Sequence, residues 1–286
     1  MPRTIQSVSQ PGVGGRFTGP DPVLMGILNV TPDSFSDGGW YVDREKATVH
    51  ALTMLDEGAR IIDIGGESTR PGSAPVEPAE EVQRVAPVIR DIIYERPGTI
   101  ISIDTYRAST AEAALEAGAT IINDVSGGTM DPRMLPLVAE AGCPVVLMHI
   151  KGEPKTMQHD PHYDDVVREV RGHLIERAEE AMSLGVAAED IVLDPGIGFG
   201  KTLEHNLTLL KNLPEMTALG FPVLIGTSRK TFIGTLSGVD DASERIAGTV
   251  ATSVLAYERG ARLFRVHDVR ENREALAIAA AFVSHE

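Results

Sequence analysis

Cysteine is almost missing from this chain. With Cys143 alone, neither an intrachain disulfide nor a cysteine-based zinc site can form, and its place just before an apolar strand marks it as a small core or near-core residue. Also missing is any uninterrupted apolar run near the roughly 18 residues a membrane span needs. The N-terminus carries no signal-peptide apolar stretch, so the expected setting is cytoplasmic, with no membrane partner. Cations are in the minority: 26 Lys and Arg face 41 Asp and Glu, a net charge of −15. That balance argues against a general nucleic-acid surface. An anionic substrate must then be captured by a local cluster of cations working against the overall field.

What is present is an ordinary globular composition, 42% hydrophobic and 23% charged, with ample material for a core. At 286 residues the length allows one large α/β domain or two small ones. Residues 1–22 are rich in Gly, Pro, Ser and Gln without periodicity and read as a flexible extension. Gly12, Gly14 and Gly15 are no dinucleotide fingerprint, because no strand precedes them and no helix opens there.

From Val23 the chain alternates. An apolar run to Val30 stops at the polar loop Thr31 to Gly39, which reads as a buried parallel strand emptying into a loop. Helical spacing follows over Asp43 to Gly58, then a strand at Ile61 to Gly65 and a helix over Glu77 to Tyr94. The same strand and helix pair recurs at Thr99 to Asp104 and Arg107 to Ala117, at Thr120 to Val125 and Pro132 to Ala141, and at Pro144 to His149 and Asp164 to Leu184. It continues at Ile191 to Asp194 and Leu203 to Leu219, where Pro214 predicts a kink or break. Val223 to Thr227 with Ala242 to Gly260, and Leu263 to Val266 with Asn272 to Val283, complete the pattern. About eight strands, each followed by a helix, predict a TIM (β/α)8 barrel over 23–286, with a doubly wound open sheet as the competing layout.

In a barrel the carboxyl ends of all strands converge on one face. Here aliphatic runs end in Asn29, Asp63, Asp104, Asn123 with Asp124, His149, Asp194, Arg229 with Lys230, and Arg265, His267 and Asp268. A purely structural barrel has little reason to end so many strands in groups so costly to bury. Some of them still have bland readings. Asn29 is either bonded to neighbouring backbone or turned toward a ligand, Asp63 orients a loop or a neighbouring cation, and Asp124 and Asp268 are N-caps or loop anchors as readily as ligands. The segment DPGIGFGKT (Asp194 to Thr202) is no phosphate loop, since Pro195 stands where that pattern needs Gly; a tight turn placing Phe199 and Lys201 at the mouth of the site is the expectation. His159 and His162 beside Asp160, Asp164 and Asp165 read as a solvated loop, because Pro161 interrupts any regular ligand face.

Two long segments, MGILNVTPDSFSDGG (Met25 to Gly39) and DIGGESTRPGS (Asp63 to Ser73), closely resemble the signature segments of the dihydropteroate synthase family, and the resemblance runs from about Val23 to the C-terminus. It implies joining of 6-hydroxymethyl-7,8-dihydropterin pyrophosphate to p-aminobenzoate with release of pyrophosphate. Asp194, Lys230 and Asn123 match the family residues that serve the pterin's donors, acceptors and mixed edge, and Asp104 matches its other pterin-facing carboxylate. Met148 and Phe199, ordinary core by composition, match positions that flank the flat ring. Arg265 and His267, with Mg²⁺ held partly by Asn29, resemble the pyrophosphate clamp, to which Arg70 also belongs. The resemblance further implies that Phe35 and Asp37 in the first loop and Thr69, Arg70 and Pro71 in the second close over the reacting centre. Phe199, Lys230 and Ser228 to Arg229 would border p-aminobenzoate, where sulfonamides compete in this family. The chain departs from commoner family sequence at His149 to Thr156, notably at Ile150, Lys151 and Glu153. The Ala-rich stretch Ala247 to Ala256 reads either as a face packed on a second subunit, as in the homodimers the family forms, or as one packed on the barrel. A pterin-dependent methyltransferase would not need the pyrophosphate clamp, and a non-catalytic pterin-binding paralogue should have lost clamp or loop residues that are present here.

Overall fold

A computed structural model describes residues 19–31, 40–68, 76–153 and 156–284. The chain runs β1 (Val23–Asn29), α1 (Trp40–Glu57), β2 (Ile61–Gly65), α2 (Pro78–Glu95), β3 (Ile100–Asp104), α3 (Ala108–Ala117), β4 (Ile121–Asp124), α4 (Met134–Ala141), β5 (Val145–Met148) and α5 (Val166–Ser183). It goes on through β6 (Ile191–Asp194), α6 (Leu203–Lys211), α7 (Pro214–Thr217), β7 (Leu224–Ile225), α8 (Thr231–Ser237), α9 (Ile246–Glu258), β8 (Leu263–Val266) and α10 (Val269–Val283). All strand pairings are parallel in the order β6-β5-β4-β3-β2-β1-β8-β7. A bridge between Leu193 and Val223, with the Leu193 N–H donating to Pro222 O at 2.9 Å, closes β7 onto β6. The eight-stranded barrel is the predicted fold, and the open-sheet alternative is excluded.

Every strand is covered on both faces, which is why the strands read as continuous aliphatic runs. The alternation of side chains sorts them into two cores. Val23, Met25, Ile61, Ile121, Val146, Val192, Leu224 and Leu263 fill the barrel interior, with Ile100 packed against them. Their strand neighbours, among them Leu24, Ile62, Ile101, Ile122, Leu147 and Leu193, join the larger core under the helices. Counting on by two from the interior set reaches Asn29, Asp63, Asp104, Asn123, Met148, Asp194, Arg265 and His267. The apolar layer is therefore the floor, and the polar strand ends are the walls of a chamber above it.

Pro214 breaks the predicted helix into α6 and α7, as expected from its missing N–H. Three expectations need correction. The helix expected over Ala242 to Gly260 is a 3₁₀ turn at Ala242–Glu244 followed by α9, and the one expected from Pro132 starts at Met134. Between β7 and that turn lies α8, which carries a glycine and two β-branched threonines in seven residues and gave no helical signal. Of the expected extension, residues 1–18 lie outside the described residues, and Pro20 accepts a hydrogen bond from the Tyr257 hydroxyl at 2.8 Å. No helix among the described residues is long and apolar enough to cross a membrane.

Candidate active site

Register places the polar side chains at one level. Asn29 pairs with Gly65, Gly65 with Asp104 and Asp104 with Asn123, around the rim from β1 to β4. Arg265 reaches across from β8: its Nε donates to Asp63 Oδ2 and its Nη2 to Asp104 Oδ2, both at 2.6 Å. Asn123 Nδ2 donates to the same Asp63 oxygen at 3.0 Å. Two carboxylates thus share one guanidinium. Asp63 is fully buried, while Asp104 keeps 10% of its side chain exposed. Burial is the main cause that raises the Asp104 carboxyl to about 7; Arg265 pulls it down, and the neighbouring Asp63 charge pushes it up. The same two carboxylates hold the Arg265 guanidinium above its ordinary value, overcoming its own desolvation. Of the two bland readings of Asp63, orienting a neighbouring cation is the one realised.

The opposite wall is built by β6 and the turn after β7. Asp194 is buried and accepts the Gly196 N–H at 2.7 Å. Desolvation raises its carboxyl, against that hydrogen bond and the Lys230, Lys201 and Arg265 charges. Lys230 lies with its Nζ 3.9 Å from the Phe199 ring centroid. Burial lowers its ammonium to about 7, opposed by Asp194. Gly198 gives the lysine stem its space, since a Cβ there would lie 2.7 Å from Lys230 Cδ. Gly196 is more constrained still: its φ is +65°, and a Cβ would fall 1.9 Å from the His149 carbonyl oxygen. Met148, 3% exposed, lies beside this loop, its Cγ 3.3 Å from the place a Gly196 Cβ would take.

Lys201 corrects one expectation. It is not at the mouth of the site but buried behind the wall, with Nζ 2.9 Å from His149 Nδ1 and donating to the carbonyls of Phe199 at 3.0 Å and His149 at 3.4 Å. Phe199 alone of that pair borders the chamber. His149, although it follows the last residue of β5, is likewise turned into this buried cluster.

Other strand-end groups divide. The Ser228 hydroxyl lies 2.9 Å from His267 Nδ1 and accepts the His267 N–H at 3.1 Å, so β8 and the β7 turn present these two together. Arg229 corrects the expectation that it borders p-aminobenzoate: at φ 58° it turns to pair with Asp268 at 3.0 Å. Asp268 makes no side-chain cap to α10; its partner is that arginine. Asp124 is a loop anchor, accepting from Ser126 N and Oγ at 2.7 Å and from Gly128 N at 2.8 Å. Asn29 is half-buried at the rim. His159 and His162 stay on an exposed loop, and no group of three His, Cys, Asp or Glu among the described residues is placed to hold a metal. Phe35, Asp37, Thr69, Arg70 and Pro71 lie outside the described residues.

Sequence reasoning missed a buried network at the chamber's edge. Arg107 Nη1 donates to Glu67 Oε2 at 2.5 Å and Glu81 Oε2 at 2.8 Å, Thr110 Oγ1 donates to Glu81 at 2.8 Å, and Tyr106 OH donates to Glu67 Oε1 at 2.9 Å. Glu81 sits in a helix with an otherwise regular amphipathic pattern, and only its 1% exposure betrays it. A charged residue on the apolar stripe of α2 was the available signal.

The arrangement pairs every kind of polar edge with a partner: carboxylates for N–H donors, an ammonium for acceptors, a carboxamide for a mixed edge, and an arginine with a histidine for an anion. A flat heterocycle bearing an anionic tail fits that set. Comparison with known proteins gives the same direction. A family model described as pterin binding enzyme matches residues 25–267. The chain is 48% identical over 258 residues to a Synechocystis dihydropteroate synthase, covering 90% of this chain and 89% of that protein. The solved structure of Xanthomonas albilineans dihydropteroate synthase with 4-aminobenzoic acid superposes with a TM-score of 0.87 at 45% identity, covering 93% of this chain and 94% of the other. The same organism's enzyme in complex with 7,8-dihydropteroate gives a TM-score of 0.85 at 43% identity, covering 93% and 95%.

Proposed function

Because the chain belongs to the dihydropteroate synthase family of pterin-binding enzymes, we infer that it condenses 6-hydroxymethyl-7,8-dihydropterin pyrophosphate with p-aminobenzoate to give 7,8-dihydropteroate and pyrophosphate. The observation that carries this reading is the meeting of Asp104, Asn123, Asp194, Lys230 and Arg265 in one chamber above the barrel floor.

Asp194 and Asp104 would accept from the pterin N–H groups, Lys230 would donate to its acceptors, and Asn123, already fixed by Asp63, would serve the mixed edge. Met148 and Phe199 would flank the ring. The p-aminobenzoate nitrogen is neutral at physiological pH, so no strong base is needed to create the nucleophile. Pyrophosphate leaves first, its growing charge met by Arg265 and His267, which point the same way from β8. The cationic methylene left on the electron-rich dihydropterin is stabilised by Asp104 until the amine attacks. Ser228, Phe199 and Lys230 border the amine, and Phe35, Asp37, Thr69, Arg70 and Pro71 complete the site from the two loops.

Mg²⁺ belongs to this proposal. That ion usually keeps several waters and is bound largely through substrate phosphates, so the Asn29 carboxamide at the rim would supply one protein oxygen to it. When bound, it would neutralise charge on the departing pyrophosphate.

We further propose that the protein works in the cytoplasm as a homodimer, with Leu255, Ile278 and Phe282, exposed on α9 and α10, in the subunit contact. Sedimentation tests the dimer. Sulfonamides should compete with p-aminobenzoate, which inhibition kinetics would register. The deciding experiment mixes the protein with dihydropterin pyrophosphate, p-aminobenzoate and Mg²⁺. Dihydropteroate should form; its absence under conditions where a known family member turns over would end this reading.

A further inference from the structure

The loop after β6 is rich in glycine, with one backbone bond of its own from the Phe199 N–H to the Gly196 carbonyl at 3.0 Å. Gly196, Gly198 and Gly200 all have positive φ, at 65°, 83° and 61°, and three glycines in five residues leave the backbone free to take many paths. Yet Phe199 within it bears the Lys230 ammonium on its ring, 3.9 Å from the centroid. Something must fix the loop's height against the wall. Four side chains tie it down: the Gly198 N–H donates to Asn206 Oδ1 at 2.7 Å, Gln158 Nε2 donates to the Gly198 carbonyl, the Tyr163 hydroxyl donates to the Gly200 carbonyl at 2.8 Å, and Lys201 Nζ donates to the Phe199 carbonyl at 3.0 Å; of the four, Lys201 is the one that holds Phe199 itself.

Lys201 is an expensive way to make such a tie. At 3% exposure Lys201 Nζ has lost its water, which pushes its pKa well below the ordinary lysine value against the pull of Asp194, and the Phe199 carbonyl, the His149 carbonyl at 3.4 Å and His149 Nδ1 at 2.9 Å are the partners that replace that water. Burial, with the Lys201 charge second, pushes the His149 imidazole down to about 2. It is therefore neutral and can accept at Nδ1. The tie joins the exit of β5, next to Met148, to the residue that carries Lys230.

We infer that Lys201 is a positioning residue for the aromatic-amine side of the active site: by holding the Phe199 carbonyl against the His149 end of β5, it sets the Phe199 ring and the Lys230 ammonium resting on it. This rests on the reaction assigned above. Lys201 touches neither substrate and acts only through its neighbours.

The test is a double-mutant cycle in the full chain with Lys201→Met, Phe199→Ala and the pair. Steady-state turnover gives KM for p-aminobenzoate and kcat, and calorimetry gives 6-hydroxymethylpterin affinity. Lys201→Met should raise KM for p-aminobenzoate about tenfold while kcat stays within about threefold, and should add nothing once the Phe199 ring is gone. Lys201→Gln, which keeps an N–H donor, should recover most of the loss, and it replaces Lys201→Met in the cycle if that variant does not fold. The inference is overturned if the substitution raises KM by the same factor in both backgrounds, or lowers the melting temperature while leaving KM unchanged. Should the unmodified protein form no product, the reaction assignment fails instead, and the cycle is read from pterin affinity, where loss confined to the Phe199 background supports the tie and equal loss refutes it.

Discussion

Asp63→Asn offers a direct probe of the shared guanidinium. Asp63 and Asp104 each lie 2.6 Å from a nitrogen of Arg265. Such a geometry separates the two carboxylates by roughly 5 Å, where like charges repel by about 3 kcal/mol at an effective dielectric of about 20. At about 1.4 kcal/mol per pKa unit, a repulsion of that size is worth about two units on Asp104, acting beside the larger push of burial and against the pull of Arg265 that together leave it at about 7. The asparagine keeps the shape and one acceptor for Arg265 and Asn123 but removes the charge, so Asp104 should fall to about 5. In the proposed role, the Asp104 carboxylate accepts N–H donors of the pterin. The ratio of wild-type to variant affinity for 6-hydroxymethylpterin should therefore rise about tenfold between pH 6 and pH 8, because Asp104 gains its charge in that window only in the wild type. Lys230 contributes alike to both proteins and cancels in the comparison. Calorimetry at the two pH values decides the matter: equal pH ratios in the two proteins would refute the shared-arginine argument.

Removing a whole partner should cost more. Asp194→Ala should weaken pterin binding by about 2 to 4 kcal/mol, through lost charge-assisted bonds and an unpaired Lys230, and unchanged calorimetric affinity would remove Asp194 from the pterin site. Gly196→Ala should destabilise the fold by about 3 kcal/mol or more, because its Cβ would meet the His149 carbonyl oxygen at 1.9 Å on a backbone at φ +65°; a denaturant midpoint within error of wild type would contradict that geometry. The ligand-free chain should also show a pH signature. Folded Asp104 keeps its proton to about 7 where the unfolded chain releases it near 3.8, so its contribution to stability falls as pH rises across that window. Folded Lys230 loses its proton at about 7 against 10.5 unfolded, so its contribution recovers only as pH climbs above 7. Denaturation of wild type and Asp104→Asn at pH 5 and pH 7 should show the variant gaining on wild type at the higher pH.

The barrel and much of its upper rim were legible because parallel strands write themselves as aliphatic runs, and a polar residue ending such a run has few reasons to be there. Asp104, Asn123, Asp194 and Arg265 were readable in this way. Lys201 was not: a lysine between Gly200 and Thr202 reads locally as a solvent-facing turn, and only the fold supplies the three acceptors that bury it. The Glu67, Glu81 and Arg107 network was equally silent, since its members stand on separate segments whose pairing has no local periodicity. Arg229 shows the opposite failure, a cation beside Lys230 in sequence that a positive φ sends away from it in space.

The seam between β6 and β7 is a single bridge at Leu193 and Val223, and β7 itself is two residues long. Its two sides lead into Asp194 and, past the turn, into Lys230. Breathing that starts at this thinnest stitch would move apart the carboxylate and the ammonium proposed to hold the ring, along with Val192 and Leu224 of the floor beneath them.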